Sequence, residues 1–189
     1  PLAEVERRHI QRTLEICDEI SAVAEVCLEG LVQVCRQQTV ERFGQPFHLD
    51  VEECWQPTEF CVLGLGKLGG QELNYSSDID LMFVYSEEGF TFKQRPTQPV
   101  PSGRGLSNHV FFQRLIEMLV AELTRLAPEG ALFRVDLRLR PEGDTGPLAR
   151  SLAGYENYYA QWGQTWERLM LMKARLVAGD AALAFEFIE

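Results

Sequence analysis

The sequence predicts an α+β protein, a small mixed sheet with flanking helices, on three observations. The first stretch repeats apolar residues at helical spacing between Leu14 and Cys35. Two short runs, Phe60-Cys61-Val62-Leu63 and Ile79-Asp80-Leu81-Met82-Phe83-Val84-Tyr85, have the apolar, β-branched and aromatic content of buried strands. A third run, Phe133 to Arg140, alternates apolar with charged residues. A chain of 189 residues, 46% hydrophobic and 24% charged, can bury a core of ordinary globular composition.

Taken in order, residues 1–57 read as an N-terminal helical segment. Leu14, Cys17, Ile20, Ala24, Cys27, Leu28, Leu31 and Cys35 mark one face of a helix or helix pair, with Gly30 a weak point and Gly44-Gln45-Pro46 its end. Residues 58–150 read as the core unit. Its first strand runs into Gly64-Leu65-Gly66, and its second begins at Ile79. Prolines, glycines and polar residues from Ser86 to Gly105 predict a long flexible loop. Ser107 to Ala127 reads as an amphipathic helix with Phe111, Leu115, Leu119, Leu123 and Leu126 inward, closed by Pro128-Glu129-Gly130. In the third strand Phe133, Val135, Leu137 and Leu139 face one way, and Arg134, Asp136, Arg138 and Arg140 the other. Residues 151–189 read as C-terminal helices leading into a further region, with Gly179-Asp180 ending one helix and capping the next. Tyr155, Tyr158, Tyr159, Trp162 and Trp166 recur at near-helical spacing, and core packing is expected of them.

Composition narrows the function classes. A net charge of −10 argues against non-specific nucleic-acid binding, which needs an excess of Lys and Arg. No apolar run approaches the roughly 20 residues that span a bilayer, so no membrane partner is expected. The charged opening residues lack a signal peptide's apolar stretch. Because the chain opens on Pro1 and stops within Phe185–Glu189, a piece of a longer protein is expected. The five cysteines, Cys17, Cys27, Cys35, Cys54 and Cys61, are odd in number and contain no CxxC pair, so buried reduced thiols and a cytoplasmic location are expected. His9, His48 and His109 fall in no triad or ligand spacing.

The chemistry concentrates on Asp78 and Asp80, which the period of a strand places on one face, within reach of a common ion. Hard divalent cations prefer such oxygen ligands, and Mg²⁺ typically uses one or two carboxylates together with substrate phosphates. If the strand carrying Asp136 is a neighbour, three carboxylates converge as in a two-metal site. Alone, an Asp-x-Asp is often a solvated turn, and Asp136 beside Arg134 and Arg138 could equally be a surface ion pair. Upstream lies Gly64-Leu65-Gly66-Lys67-Leu68-Gly69-Gly70, followed by Ser76-Ser77. A dinucleotide fold needs a full helix between its first two strands, and too few residues separate Gly69 from Ile79. No GxxxxGK[ST] phosphate loop is present either. What remains is a glycine-rich loop whose N–H groups at Gly66, Gly69 and Gly70, with Lys67, Ser76 and Ser77, could hold phosphate oxygens beside the carboxylates.

The stretch Gly64-Leu65-Gly66-Lys67-Leu68-Gly69-Gly70-Gln71-Glu72-Leu73-Asn74-Tyr75-Ser76-Ser77-Asp78-Ile79-Asp80-Leu81 resembles the signature of the glutamine synthetase adenylyltransferase family. Arg134-Val135-Asp136-Leu137-Arg138-Leu139-Arg140-Pro141, Trp166-Glu167-Arg168 and Lys173-Ala174-Arg175 agree with it. The similarity runs from about Phe60 to Asp180. The resemblance implies a nucleotidyltransferase (polymerase-beta-like) fold, with residues 58–150 as its core. It implies an enzyme with glutamine synthetase as protein substrate, ATP, ADP and phosphate as small ligands, and a PII signal protein as a candidate partner. The family joins two homologous catalytic halves, one adding AMP from ATP to a tyrosine of glutamine synthetase and one removing it by phosphorolysis to give ADP. Glu72 to Asp80 is similar to the removing half; the other half tends to carry Gly and Asn where Asn74 and Ser76 stand here. The resemblance makes Asp78 and Asp80 the metal-binding pair and Asp136 the third acidic residue, with one Mg²⁺ ion or two. Lys67, Arg138 and Arg140 are then candidates for holding phosphate. ATP-dependent adenylylation of the same tyrosine is the alternative direction. A non-catalytic nucleotide- or PII-binding regulatory module is the alternative of another class, and another member of the nucleotidyltransferase superfamily with a different substrate is a third.

Overall fold

The computed structural model describes residues 2–98, 103, 105–128 and 130–189, with side chains of the first helix described at residue 4 and from residue 6 onward. Helix α1 (Leu2–Phe43) is one continuous helix of 42 residues that passes through Gly30 unbroken. It ends at Gly44, whose φ of +93° suits glycine alone and whose N–H bonds back to Val40 O at 2.8 Å. The apolar stripe meets the core only in its C-terminal half, where Ala24, Leu28, Val32 and Cys35 are buried. Ile10 and Leu14 lie 61% and 54% exposed.

The helix ends where Gly44-Gln45-Pro46 was expected to end it, but the rest of the N-terminal helical segment, residues 45–57, is not helical. These residues form strands β1 (Gln45–Leu49) and β2 (Trp55–Pro57), paired antiparallel. A strand at Phe90–Phe92 adds to the other edge of β1, so the stretch read as a long loop contributes to a three-stranded sheet around Phe47, Trp55 and Phe92. Strand β2 and the Phe90–Phe92 strand, three residues each, are too short to display a period of two in the sequence. Residues 99–102 and 104 of that loop, and Glu129, lie outside the described residues.

The main sheet contains β3 (Phe60–Gly64) and β4 (Ile79–Tyr85), with β5 being the Phe90–Phe92 strand already described. Its other members are β6 (Val135–Asp136), β7 (Ala149–Ser151) and β8 (Arg175–Gly179). The order is β6-β4-β3-β8, with β7 also on β4. Strand β3 is antiparallel to β4 and β8, whereas β6 and β7 run parallel to β4, so the sheet is mixed as expected.

Both faces of this sheet are covered. Phe60, Val62, Leu81, Phe83 and Tyr85 pack with α1 and with Phe111, Phe112, Leu115 and Leu119 of a second long helix (Asn108–Thr124). Cys61, Leu63, Met82 and Val84 pack on the other side against Tyr155, Leu183 and Ala184. Two covered faces explain why the central strands read as unbroken apolar runs. In chain order the remaining helices are α2 (Gly66–Gly69), α3 (Asn108–Thr124), α4 (Leu152–Gln161), α5 (Thr165–Leu171) and α6 (Ala181–Ile188).

Several expectations change. Helix α3 begins after Ser107, whose side chain accepts from Val110 N–H at 3.3 Å, but it stops at Thr124 and leaves Leu126 83% exposed. The third strand is only Val135–Asp136; the chain then turns, and Arg140 points inward rather than out with Arg138. The tail is not all helix, because β8 pairs with β3. Asp180 caps α6 as read, accepting from Leu183 N–H at 2.8 Å. Tyr155 is buried, yet Trp162 and Trp166 are exposed. Cys35 and Cys61 are buried thiols, Cys17 and Cys27 are half-buried, and Cys54 is exposed. Among the described residues no helix is long and apolar enough to cross a membrane.

Candidate active site

Strand β3 leads through Leu65, whose N–H bonds to Asp80 O at 2.9 Å, into the single turn α2. That bond draws the turn back over the start of β4. Gly66 sits there with φ +52°, and a Cβ on it would stand 2.4 Å from Asp80 Oδ2. Both the backbone conformation and the carboxylate therefore require glycine. Gly69 answers a different demand. A Cβ there would lie 2.0 Å from Lys173 O, so the glycine lets α2 approach the chain entering β8. The N–H groups of Gly69 and Gly70 bond to Leu65 O and Gly66 O at 2.9 and 3.1 Å. They are spent inside the turn and do not face a phosphate as the sequence suggested.

Strands β4 and β6 bring the acidic residues together. Their register pairs Ile79 with Val135 and Asp80 with Asp136. In-register neighbours on strands ~4.8 Å apart project to the same face. Asp78 stands just before β4, and its Oδ1 receives Arg134 Nε at 2.6 Å. Arg134 also donates to Ser76 O, and its own carbonyl accepts from Ile79 N–H at 2.9 Å. Asp136 is gripped by Arg138: Nε lies 3.1 and 3.0 Å from Oδ1 and Oδ2, one terminal nitrogen 2.6 Å from Oδ2, and the backbone N–H 2.8 Å from Oδ1. These bonds from Arg138 hold the Asp136 carboxyl below the usual carboxylate range. Asp80 is the opposite case. Half-buried, it accepts no hydrogen bond at its carboxylate from any described residue. Burial, then the charges of Asp136 and Asp78, push its pKa up, against smaller pulls from Arg138 and Lys67.

An open cleft of about 420 Å³ lies over this region, lined by Asp78, Val135, Asp136, Leu137, Arg138, Arg140 and Asp144. Lys67 is exposed at its side, with Nζ 3.4 Å from Ser77 Oγ, which in turn bonds Asn74 Oδ1. Ser76 adopts φ +65° and offers its carbonyl to Arg134. Arg140 does not present a free guanidinium. It is 5% exposed and donates to the carbonyls of Leu137, Gly146 and Pro147 at 2.5, 3.2 and 3.2 Å, bracing the wall of the cleft. Sequence reasoning missed Asp144, on a 3-10 turn (Gly143–Thr145), because a turn aspartate carries no signal of the strand it will face. Arg134, read from the sequence only as an ion-pair neighbour of Asp136, instead bonds Asp78 and Ser76 O and ties the Ser76–Asp78 turn to β6.

The donor set suits a hard cation: among the described residues nothing donates to either oxygen of Asp80, and Asp78 has one beyond its Arg134 contact. The third carboxylate differs from expectation in being fully occupied. Among the described residues no group of three or more His, Cys, Asp or Glu side chains is gathered to hold an ion, and Asp136 is turned to Arg138.

Residues 5–189 match the model of the family described as glutamate-ammonia ligase adenylyltransferase. The chain belongs to that family. Within it, this adenylyltransferase-family chain is 43% identical over 166 residues to the bifunctional glutamine synthetase adenylyltransferase/adenylyl-removing enzyme of Nitrosococcus oceani, covering 88% of this chain and 16% of that protein. The enzyme of the same name from Pseudomonas aeruginosa is 42% identical over 166 residues, with the same coverages. That of Pseudomonas syringae pv. tomato is 39% identical over 176 residues, 93% of this chain and 17% of the relative. The chain thus spans 16–17% of the length of these adenylyltransferase-family relatives.

Proposed function

We propose that this chain carries a divalent-cation-dependent nucleotidyl-transfer centre acting on glutamine synthetase, and that its direction is phosphorolytic removal of AMP from an adenylyl-tyrosine. The observation that carries the reading is the in-register pairing of Asp80 with Asp136 on adjacent parallel strands, with Asp78 beside them at an open cleft. The direction rests on the wording of Glu72 to Asp80. The substrate enters through the printed names of the relatives. A cytoplasmic setting is part of the same proposal.

In this reading Asp78, Asp80 and Asp136 would hold Mg²⁺, one ion or two, which when bound neutralises charge on the phosphoryl oxygens. The remaining work is positioning and charge. An oxygen of inorganic phosphate attacks the phosphorus of the AMP group, forming the new P–O–P link of ADP. The bond to the tyrosine oxygen breaks, and the phenolate takes a proton. Inorganic phosphate is already an anion, so no strong base is required of the protein. Lys67 and Arg138, whose positive charges both act on Asp80, would supply charge for the phosphate and the AMP group. Gly66 keeps the turn close enough for this, with no side chain between the turn and the carboxylate.

Incubation with AMP-modified glutamine synthetase, Mg²⁺ and phosphate is expected to release ADP, while unmodified enzyme with ATP is expected to remain unmodified. AMP incorporation in the second tube would reverse the direction. Nucleotide binding with no turnover in either tube would make the chain a regulatory module.

A further inference from the structure

We propose that Arg138 is a resident stand-in for a divalent cation, and that a cation binding at Asp136 exchanges with it and frees its guanidinium for the phosphate of the reaction. This rests on the reading of the cleft as a cation-dependent transfer centre. The three aspartates are treated unequally. Asp80 accepts nothing at its carboxylate among the described residues, Asp78 gives one oxygen to Arg134, and Asp136 gives both oxygens to Arg138. A guanidinium fork and a divalent ion use the same carboxylate lone pairs, so at Asp136 they exclude each other.

The two arginines also differ in their freedom to leave. Arg134 is tied to Ser76 O as well as to Asp78. The Arg138 side chain is 70% exposed and, among the described residues, makes its hydrogen bonds to Asp136 alone. It can swing away without moving the backbone. Its departure does not release Asp136, because the Arg138 backbone N–H still holds Oδ1 at 2.8 Å. The freed guanidinium stays in a cleft walled by Asp78, Asp144 and Asp136. Those carboxylates repel a lone phosphate until a cation has arrived. Cation and phosphate binding are therefore positively coupled through one side chain, and by linkage each strengthens the other equally.

The test is direct Mn²⁺ binding to the 189-residue chain, followed by electron paramagnetic resonance without nucleotide, in wild type, Arg138→Lys, Arg138→Gln and Asp80→Asn. The fork competes through charge-assisted hydrogen bonds, so its loss is expected to tighten Mn²⁺ by about tenfold in both Arg138 variants. Phosphate, which tightens Mn²⁺ in wild type, is expected to do so much less in Arg138→Gln. Equal or weaker Mn²⁺ binding in Arg138→Lys overturns the exchange. It means that Arg138 only orients Asp136, or acts through net charge, which lysine retains. If Asp80→Asn binds Mn²⁺ as wild type does, the cation-site reading itself fails. If Asp80→Asn loses binding while Arg138→Lys is unchanged, only the exchange fails.

Discussion

At Asp80 the main chain and the side chain serve separate ends: the carbonyl anchors Leu65 N–H at 2.9 Å, while the half-buried carboxylate stands on the strand paired in register with Asp136. Asp80→Asn keeps the first and removes the charge. It is expected to abolish phosphate-dependent AMP removal with an unchanged circular dichroism spectrum, and Asp78→Asn is expected to do the same; near-normal turnover in either would refute the cation assignment. Asp136→Ala should slow turnover at least ~10²-fold, as loss of a group stabilising transition-state charge does. Retained activity would make its Arg138 contact a structural ion pair. Gly66→Ala forces a Cβ to 2.4 Å from Asp80 Oδ2 at φ +52°. It should lower stability by roughly 1–2 kcal/mol in urea titration and displace the carboxylate, reducing activity further than the stability loss explains.

Strand β4 is the element on which everything else is hung, and its partners show what could be read in advance. Its seven residues and those of β3 were legible because a strand buried on both faces is an uninterrupted apolar run. Asp78 and Asp80 were legible because they interrupt that pattern at one end. The weaker strands were not: β6 has two residues and β7 three, and their pairing depends on β4 lying alongside, which no local period encodes. Strand β8 was hidden by its helical neighbours, and Arg140 by an alternation that the chain abandons after Asp136. The buried tyrosine of α4 offers a test at this scale. Tyr155 donates to Phe83 O of β4 at 3.0 Å. Tyr155→Phe should cost about 1–3 kcal/mol in denaturant unfolding, because the carbonyl is left buried without that partner. A smaller loss would mean that water replaces the hydroxyl.

Across the whole molecule the core is off-centre with respect to its longest helix. Ala24, Leu28, Val32 and Cys35 are buried against the sheet and α3, whereas Ile10 and Leu14 of the same helix are exposed. Removing residues 1–16 should leave the melting temperature nearly unchanged. Removing residues 1–36 takes those four side chains out of the core, at about 1.5–3 kcal/mol for each large aliphatic one, and should abolish cooperative melting. The wall of the cleft follows a different logic. Residues 137–148 leave β4's edge after β6 and return to it at β7, so both ends of this excursion are moored to one strand. Chain-closure entropy grows only with the logarithm of length, about 0.6 kcal/mol for each doubling. The tip of the excursion, residues 142–145, can therefore be lengthened or rewritten while Arg138 keeps its hold on Asp136, Arg140 still braces the wall and the sheet keeps its register, which makes it the natural graft point for changing what the cleft accepts without rebuilding the carboxylates beneath it.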